Sequence, residues 1–375
     1  MEKIIGIVSE YNPFHEGHAY HIRETKRILG EDAAVVCVMS GDFVQRGEWA
    51  IQPKHLRAEA ACRGGADLVI ELPLPWCLSS AGNFAAGAVS ILKAAGITHL
   101  SFGSESGDIE ELKIAASRLA EDGIQEKISS YLKQNPNSNY PAARSAVFGN
   151  ALPVQPNDLL AVEYLLALEG SGIQPLAVRR VGMLHDERGD ADILSASEIR
   201  SRILSGKLIA PHIDSDKMNI ACVSLLRMLK SEDFDALPDC QDGLGQRIYE
   251  AVREEASVEA ICLAAKTKRY TLSRIRRCVL SAALNLQSAP LCKEPPYARV
   301  LASNQKGREI LVLRKKDSPV PFLTQPKEIK KMDLTAQKIF ELGSSAHDLY
   351  MLCYPGKEND RCGEDYRKGP VLTEL

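Results

Sequence analysis

Residues 3–21 read KIIGIVSEYNPFHEGHAYH, and this stretch decides the fold. KIIGIVS is a short apolar run of the kind that forms a strand buried on both faces. Asn12 and Pro13 break it with a turn. A helical pattern then runs from Gly17 to Leu29, with His15 and His18 in HxGH spacing at its start. In an open parallel sheet, ligands bind beyond the carboxyl ends of the strands. A helix N-terminus placed there offers free N–H groups and a positive dipole to phosphates. Two imidazoles beside it can donate to phosphate oxygens and stabilise charge on a departing pyrophosphate.

The same alternation continues outward. Strands are expected at 33–39, 67–72, 97–102 and 175–181, with helices at 53–63, 84–95, 108–133, 158–169 and from Ser195 onward. This order predicts an α/β fold, a Rossmann-like parallel sheet with helices on both faces. Residues 135–157, rich in Pro and Asn, read as a loop. Beyond residue 205 the pattern turns mostly helical, through 218–230 and 245–287. Residues 297–303 and 309–314 suit either a strand pair or a strand within an α/β unit. The last residues, DRCGEDYRKGPV, read as a loose polar tail. A boundary is expected at 205–215, dividing a catalytic domain (1–210) from a mostly helical, basic domain (211–375).

A second segment, LSASEIRSRI at 194–203, supports the first. Ser195 or Ser197 suits the N-cap of a new helix, and Arg200 lies one turn in, within reach of a phosphate. Alone it reads as an ordinary Ser-capped helix, but beside HxGH it reads as part of a phosphate site.

Charge separates the two regions. The chain has 375 residues and a net charge of −3, yet Lys266–Lys331 holds 16 Lys and Arg against four acids. That excess suits a polyanion, because each phosphate contact releases counterions; it equally suits a solvated surface. In AKTKRYTLSRIRR, Lys266, Lys268, Arg269, Tyr270, Arg274 and Arg277 interleave cations with an aromatic, as RNA-binding segments do. With 45% hydrophobic and 25% charged residues, wholesale disorder and fibrous folds are excluded. No apolar run reaches the length of a membrane helix. The N-terminus lacks the features of a secretory signal, and a cytoplasmic protein is expected. Ten cysteines without a CxxC pair read as reduced, mostly buried thiols, and no metal-ligating set is expected.

NPFHEGH with LSASEIR resembles the paired signatures of the nucleotidyltransferase superfamily that attacks the α-phosphate of ATP. IVSEYNPFHEGHAYHI, MSGDFVQRGEWAI, GADLVIELP, FGSESG and AKTKRYTLSRIRR together resemble, more narrowly, the bacterial tRNA(Met) cytidine acetate ligase family. The resemblance implies an ATP-dependent ligase that forms acetyl-adenylate and acetylates the wobble cytidine of elongator tRNA(Met), with Mg²⁺ carried by ATP. It places ATP on Ile7, Val8, Ser9, Glu10, Tyr11, Asn12, Pro13, Phe14, His15, Glu16, Gly17, His18, Ala19 and Tyr20, with Gly103, Asn157, Arg180 and Ser197. Asn157 suits an adenine or ribose edge and equally a helix cap. His15, His18 and Arg46 are the catalytic candidates, Arg46 orienting acetate or phosphate. Lys54 suits the triphosphate or solvent. The chain departs from the family pattern at Asp42 (usually Asn) and Trp49 (usually Pro); Asp42 would bring a negative charge towards an anion site, unless it faces a metal ion or solvent. Two other readings remain at this point: an adenylyltransferase acting on a small phosphorylated acceptor in cofactor synthesis, and a non-catalytic RNA-binding protein.

Overall fold

The structure, a computed structural model, describes residues 3–149, 153, 155–180, 194–290, 292–356 and 361–374. The N-terminal half runs β1 (Ile4–Ser9), α1 (Glu16–Leu29), β2 (Ala34–Ser40), β3 (Phe43–Val44), β4 (Glu48–Trp49), α2 (Lys54–Arg63), β5 (Leu68–Leu72), α3 (Ala81–Ala94) and β6 (His99–Ser104). Then follow α4 (Ile109–Leu119), α5 (Ile124–Gln134), α6 (Tyr140–Phe148), α7 (Pro156–Leu168), β7 (Gln174–Arg179) and α8 (Ala196–Leu204). The expected strands and helices of this half are present, shifted by a few residues at their ends. Residue 181, the last of one expected strand, lies outside the described residues.

Strands β1, β2 and β5–β7 are parallel, in the order β5-β2-β1-β6-β7. Their apolar runs explain this: every residue of β2 and β5 is buried, as a strand covered by helices on both faces requires. Strand β1 lies between β2, the next strand of one wing, and β6, the first strand of the other. The strand order reverses there, which opens a crevice at the carboxyl end of β1.

Beyond α8 the chain is helical, with α9 (Ser215–Arg227), α10 (Ser231–Asp235), α11 (Leu244–Glu254), α12 (Val258–Ala265) and α13 (Leu272–Ala283). It then returns to the sheet through β8 (Ala298–Ser303), α14 (Gln305–Arg314), β9 (Phe322–Leu323), α15 (Leu334–Leu352), α16 (Glu364–Arg367) and β10 (Val371–Leu372). β8 pairs antiparallel with β5 and parallel with β9 and β10.

Several expectations are corrected or settled here. The sheet is mixed at one edge, because β8 runs against its neighbour. The helical stretch covers only part of 211–375, since residues 298–303 complete the N-terminal sheet. Residues 309–314 lie in a helix, which settles the α/β alternative. The loop at 135–157 contains α6, started by an Asn139 side chain that accepts from Ala142 N; residues 150–152 and 154 of it lie outside the described residues. The tail is ordered as well: α16 packs on α15, and β10 extends the sheet. All ten cysteines are unpaired and eight are buried. Among the described residues no helix is long and apolar enough to cross a membrane.

Candidate active site at the carboxyl end of β1

The chain leaves β1 through Tyr11, whose φ of 45° is rare for a residue with a side chain. Packing holds it there. Its ring meets Phe14 (5.0 Å) and His18 (4.8 Å) edge-on, and its hydroxyl lies 3.2 Å from Cys37 Sγ. The Asn12 side chain accepts from Ile51 N at 2.8 Å, and Arg200 of α8 donates to the Asn12 carbonyl at 2.9 Å. Arg57 ties the loops after β1 and β2 together: its buried guanidinium donates to the carbonyls of Glu10 (2.6 Å), Ser40 and Gly41.

His15 is the N-cap of α1. Its Nδ1 accepts from Gly17 N at 3.0 Å, while His18 Nδ1 accepts from His15 N at 3.3 Å. The two rings lie 3.9 Å apart between centroids. An accepting Nδ1 is unprotonated, so a neutral ring carries its proton on Nε2. Both rings favour the neutral form. Burial, then nearby Arg180, lowers the pKa of His15. Burial, then His15, His21 and Arg180, holds His18 well below the ordinary imidazole range. Each histidine therefore presents one Nε2–H donor without a charge that would trap an anion.

Arg180 lies across Gly103: a Cβ on Gly103 would stand 3.3 Å from Arg180 Cγ, tight enough to push the arginine aside. Arg180 Nη1 reaches Asn157 Oδ1 at 3.5 Å. Asn157 is not a cap. It sits in the first turn of α7, with Gln155 as N-cap, and its amide donates to Glu105. The fold thus brings His15, His18, Gly103, Asn157 and Arg180, drawn from β1–α1, β6, α7 and β7, to one edge. Within the segment 7–20, Ile7, Tyr11, Asn12, Pro13 and Ala19 are buried, Glu16 is exposed, and the rest are half-buried. Ser195 caps α8 by accepting from Glu198 N at 3.2 Å, and Ser197 is exposed one residue inside the helix.

Arg46 is exposed in the turn between β3 and β4, opposite Glu10. Burial raises the pKa of Glu10, and Arg46 works against that shift. The turn needs Gly47, whose φ is 77° and whose missing Cβ would stand 2.6 Å from the backbone nitrogen of Arg277 in α13. The hairpin tip is therefore pressed against the helical region.

Several sequence-derived roles do not survive these positions. Lys54 is buried, ion-paired to Asp365 (2.6 Å) and Glu71 (3.0 Å), and does not face a triphosphate. Asp42 does not face an anion site either: it holds His347 Nδ1 at 2.7 Å and caps Lys54 N at 2.8 Å. Trp49, in β4, packs against the apolar core. Tyr270 is buried with its hydroxyl on the Asp242 carbonyl, so its ring is closed to a base. Arg274 donates to the Asp239 carbonyl at 2.7 Å, and Arg277 is buried beside Asp239. Arg269 pairs with Asp242 at 3.4 Å. Lys266 and Lys268 are exposed and have no ion-pair partner among the described residues.

Sequence reading missed Arg57 and Asp158, whereas His21, three residues after His18, is expected from its position to face another neighbour, and does. His21 bonds Ser101 at 2.8 Å, and burial followed by Arg180 lowers its pKa to about 4. Asp158 accepts from Ser104 Oγ, Glu105 N and Ser106 N, which shapes the loop after β6. An acid in the first turn of a helix is a visible signal, but its partners lie 52 or more residues away.

Comparison with known proteins gives the family. The HIGH Nucleotidyl Transferase family matches residues 2–365. A tRNA(Met) cytidine acetate ligase of Acetivibrio thermocellus is 33% identical over 416 residues, covering 99% of this chain and 100% of that protein. One from a Thermoanaerobacter species is 36% identical over 397 residues, covering 97% and 98%. The crystal structure of Thermotoga maritima TmcAL bound with alpha-thio ATP matches with a TM-score of 0.86 and 30% identity over 100% of both chains. The chain belongs to the tRNA(Met) cytidine acetate ligase family of HIGH nucleotidyl transferases, and is an enzyme of the ligase class.

Proposed function

We propose that this ligase activates acetate with ATP as acetyl-adenylate and transfers the acetyl group to the wobble cytidine of elongator tRNA(Met). The observation that carries the first step is the pair of imidazoles at the start of α1, each with Nδ1 occupied by a backbone N–H. ATP lies across this helix start, with Mg²⁺ travelling on its phosphates. Arg180 and Asn157 hold the nucleotide from the β6–β7 side, and Ser197 closes the site from α8. A carboxylate oxygen of acetate attacks the α-phosphorus while the bond to pyrophosphate breaks. The two Nε2–H groups and the α1 dipole stabilise the charge moving onto the leaving group. Arg46 orients the acetate carboxylate from the hairpin turn, where Glu10 limits its net charge.

In the second step the cytidine amine attacks the acetyl carbonyl, AMP departs, and the amine loses its proton. The cytosine must leave its stack to reach the anhydride, a low cost in an anticodon loop. The helical region bearing Lys266 and Lys268 receives the tRNA while residues 1–210 hold ATP and acetate, in a cytoplasmic enzyme. Incubation with ATP, labelled acetate and tRNA, followed by mass spectrometry of nucleosides, tests this: acetylcytidine is expected. Transfer of AMP to nicotinate mononucleotide or phosphopantetheine, with tRNA unmodified, would overturn it.

A further inference from the structure

The four arginines of the basic segment 266–277 are each engaged by a carboxylate or a carbonyl, which leaves Lys266 and Lys268 as its free cations among the described residues; further free cations lie outside it. On one face, Lys327, Lys330 and Lys331 are exposed on the 3-10 helix Pro326–Lys331, which packs against α15 and α16. Arg361, just before α16, and Arg367, its last residue, are exposed, and neither has a carboxylate partner among the described residues. Between them Tyr366 is 42% exposed, its ring set edge-on to Phe340 at 5.0 Å. The residue before it turns inward: Asp365 is buried and paired to Lys54 (2.6 Å) and Arg299 (2.7 Å). Strand β10 then fixes the far end of the segment to β8. A short stretch of chain is thus clamped at two points while an aromatic ring and several cations stay at the surface.

We propose that α16 and the 3-10 helix form an RNA-docking face, in which Tyr366 stacks on an unpaired base and the cations take the flanking phosphates. This rests on the reading that the acceptor is a tRNA. An aromatic platform among unpaired cations is the pattern that binds single-stranded and loop RNA. The face also contains acids. Glu364 pairs with Lys368 at 2.6 Å, and Glu341 and Asp348 lie near Tyr366. They direct a polyanion towards the 3-10 helix rather than over α15. The anchor joins this face to the nucleotide edge, because Lys54, which holds Asp365, is capped by Asp42 in the loop after β2.

The test is a salt-dependent binding titration of the full chain with elongator tRNA(Met) transcript. Tyr366→Ala should weaken binding at least about fivefold, while Tyr366→Phe keeps wild-type affinity. Joint Lys330→Ala and Lys331→Ala substitution should reduce the slope of log affinity against log salt by about one to two. Ala variants that melt like wild type and bind within about twofold, with the slope unchanged, overturn the docking face. Should a variant melt lower, the wild-type protein is photo-crosslinked to 4-thiouridine-substituted tRNA. Crosslinks on the peptides containing Tyr366 or Pro326–Lys331 support the face, and crosslinks confined to other peptides overturn it. A wild-type chain that binds no tRNA overturns the proposed acceptor along with it.

Discussion

Two groups of charged and polar side chains sit on the same edge of the sheet and are built in opposite ways. At the end of β1, His15, His18 and Arg180 are at least partly open to solvent, and none makes an ion pair with a carboxylate among the described residues. At the end of β5, Lys54, Arg299 and His347 meet Asp42, Glu71 and Asp365 around a small cavity of about 20 Å³, room for one water molecule. Here three cations face four carboxylates, since His347 also meets Glu364 at 3.2 Å. The first group is left incomplete, so a ligand's phosphates can complete it. The second pairs its cations with its own carboxylates and ties α2, β8, α15 and α16 together. Burial alone does not make a charged cluster functional. What distinguishes a site is charge or hydrogen-bonding capacity that the protein leaves unspent.

The sharpest way to break this comparison is to unbalance the closed group. Asp365→Ala leaves Lys54 and Arg299 buried without their shared carboxylate. Removing one partner of a buried pair costs about 3–5 kcal/mol, so chemical denaturation should show a loss of that size, with the segment after residue 361 released to proteolysis. A loss below about 1 kcal/mol, the scale of a surface pair, would mean that the cluster is not the anchor.

His18→Ala tests the open group. Losing one charge-stabilising donor typically slows the chemical step about 10²–10³-fold. Pyrophosphate release with acetate and ATP should fall by at least about a hundredfold, while the denaturation midpoint changes little. Wild-type release from the mutant would remove the imidazole pair from the mechanism.

The two groups were also unequally legible in the sequence. HxGH lies in one stretch, next to a strand, and its spacing encodes its geometry because a cap and the third residue of a helix always meet. Gly103, Asn157 and Arg180 have no such local code; they came from family resemblance, and the sheet register explains why they converge. Lys54 and Asp42 read as groups facing either the site or solvent because their partners, Asp365 and His347, lie more than 300 residues away. Tyr270 looked like a stacking platform from composition, whereas the fold buried it. The tail looked loose because its polar pattern hides one buried acid, Asp365. Long-range charge compensation leaves no periodic trace, so sequence reading tends to assign such residues to solvent or ligand.

The pH dependence of stability sharpens the same contrast. Burial works against a charge on His347, but Asp42 and Asp365 outweigh it and raise its pKa to about 9. The folded state thus holds a proton that the unfolded chain releases near 6.5. Stability from this group is complete below about pH 6.5 and is lost as pH rises towards 9. His55 and His21 behave oppositely: burial lowers each to about 4, so stability falls as pH drops from about 6.5 towards 4. Melting temperature should peak near pH 6.5, and His347→Gln should flatten the limb between about pH 7 and 9. An alkaline limb of wild-type steepness in that mutant would mean that His347 is neutral in the folded state.

The smallest expected effect concerns how the open group is assembled. Arg200 holds the Asn12 carbonyl from α8, and α8 begins at the Ser195 cap, where the side chain accepts a single hydrogen bond of 3.2 Å at an exposed position. Ser195→Ala should cost about 1 kcal/mol, the usual value of an N-cap. Because α8 is short and only one of its residues, Ile203, is fully buried, that cost should appear as local fraying rather than global unfolding. Hydrogen exchange in α8 should quicken and KM for ATP rise a few-fold, with melting nearly unchanged. If global stability falls instead and KM for ATP holds, α8 belongs to the cooperative core, and the open edge is as rigidly built as the closed one.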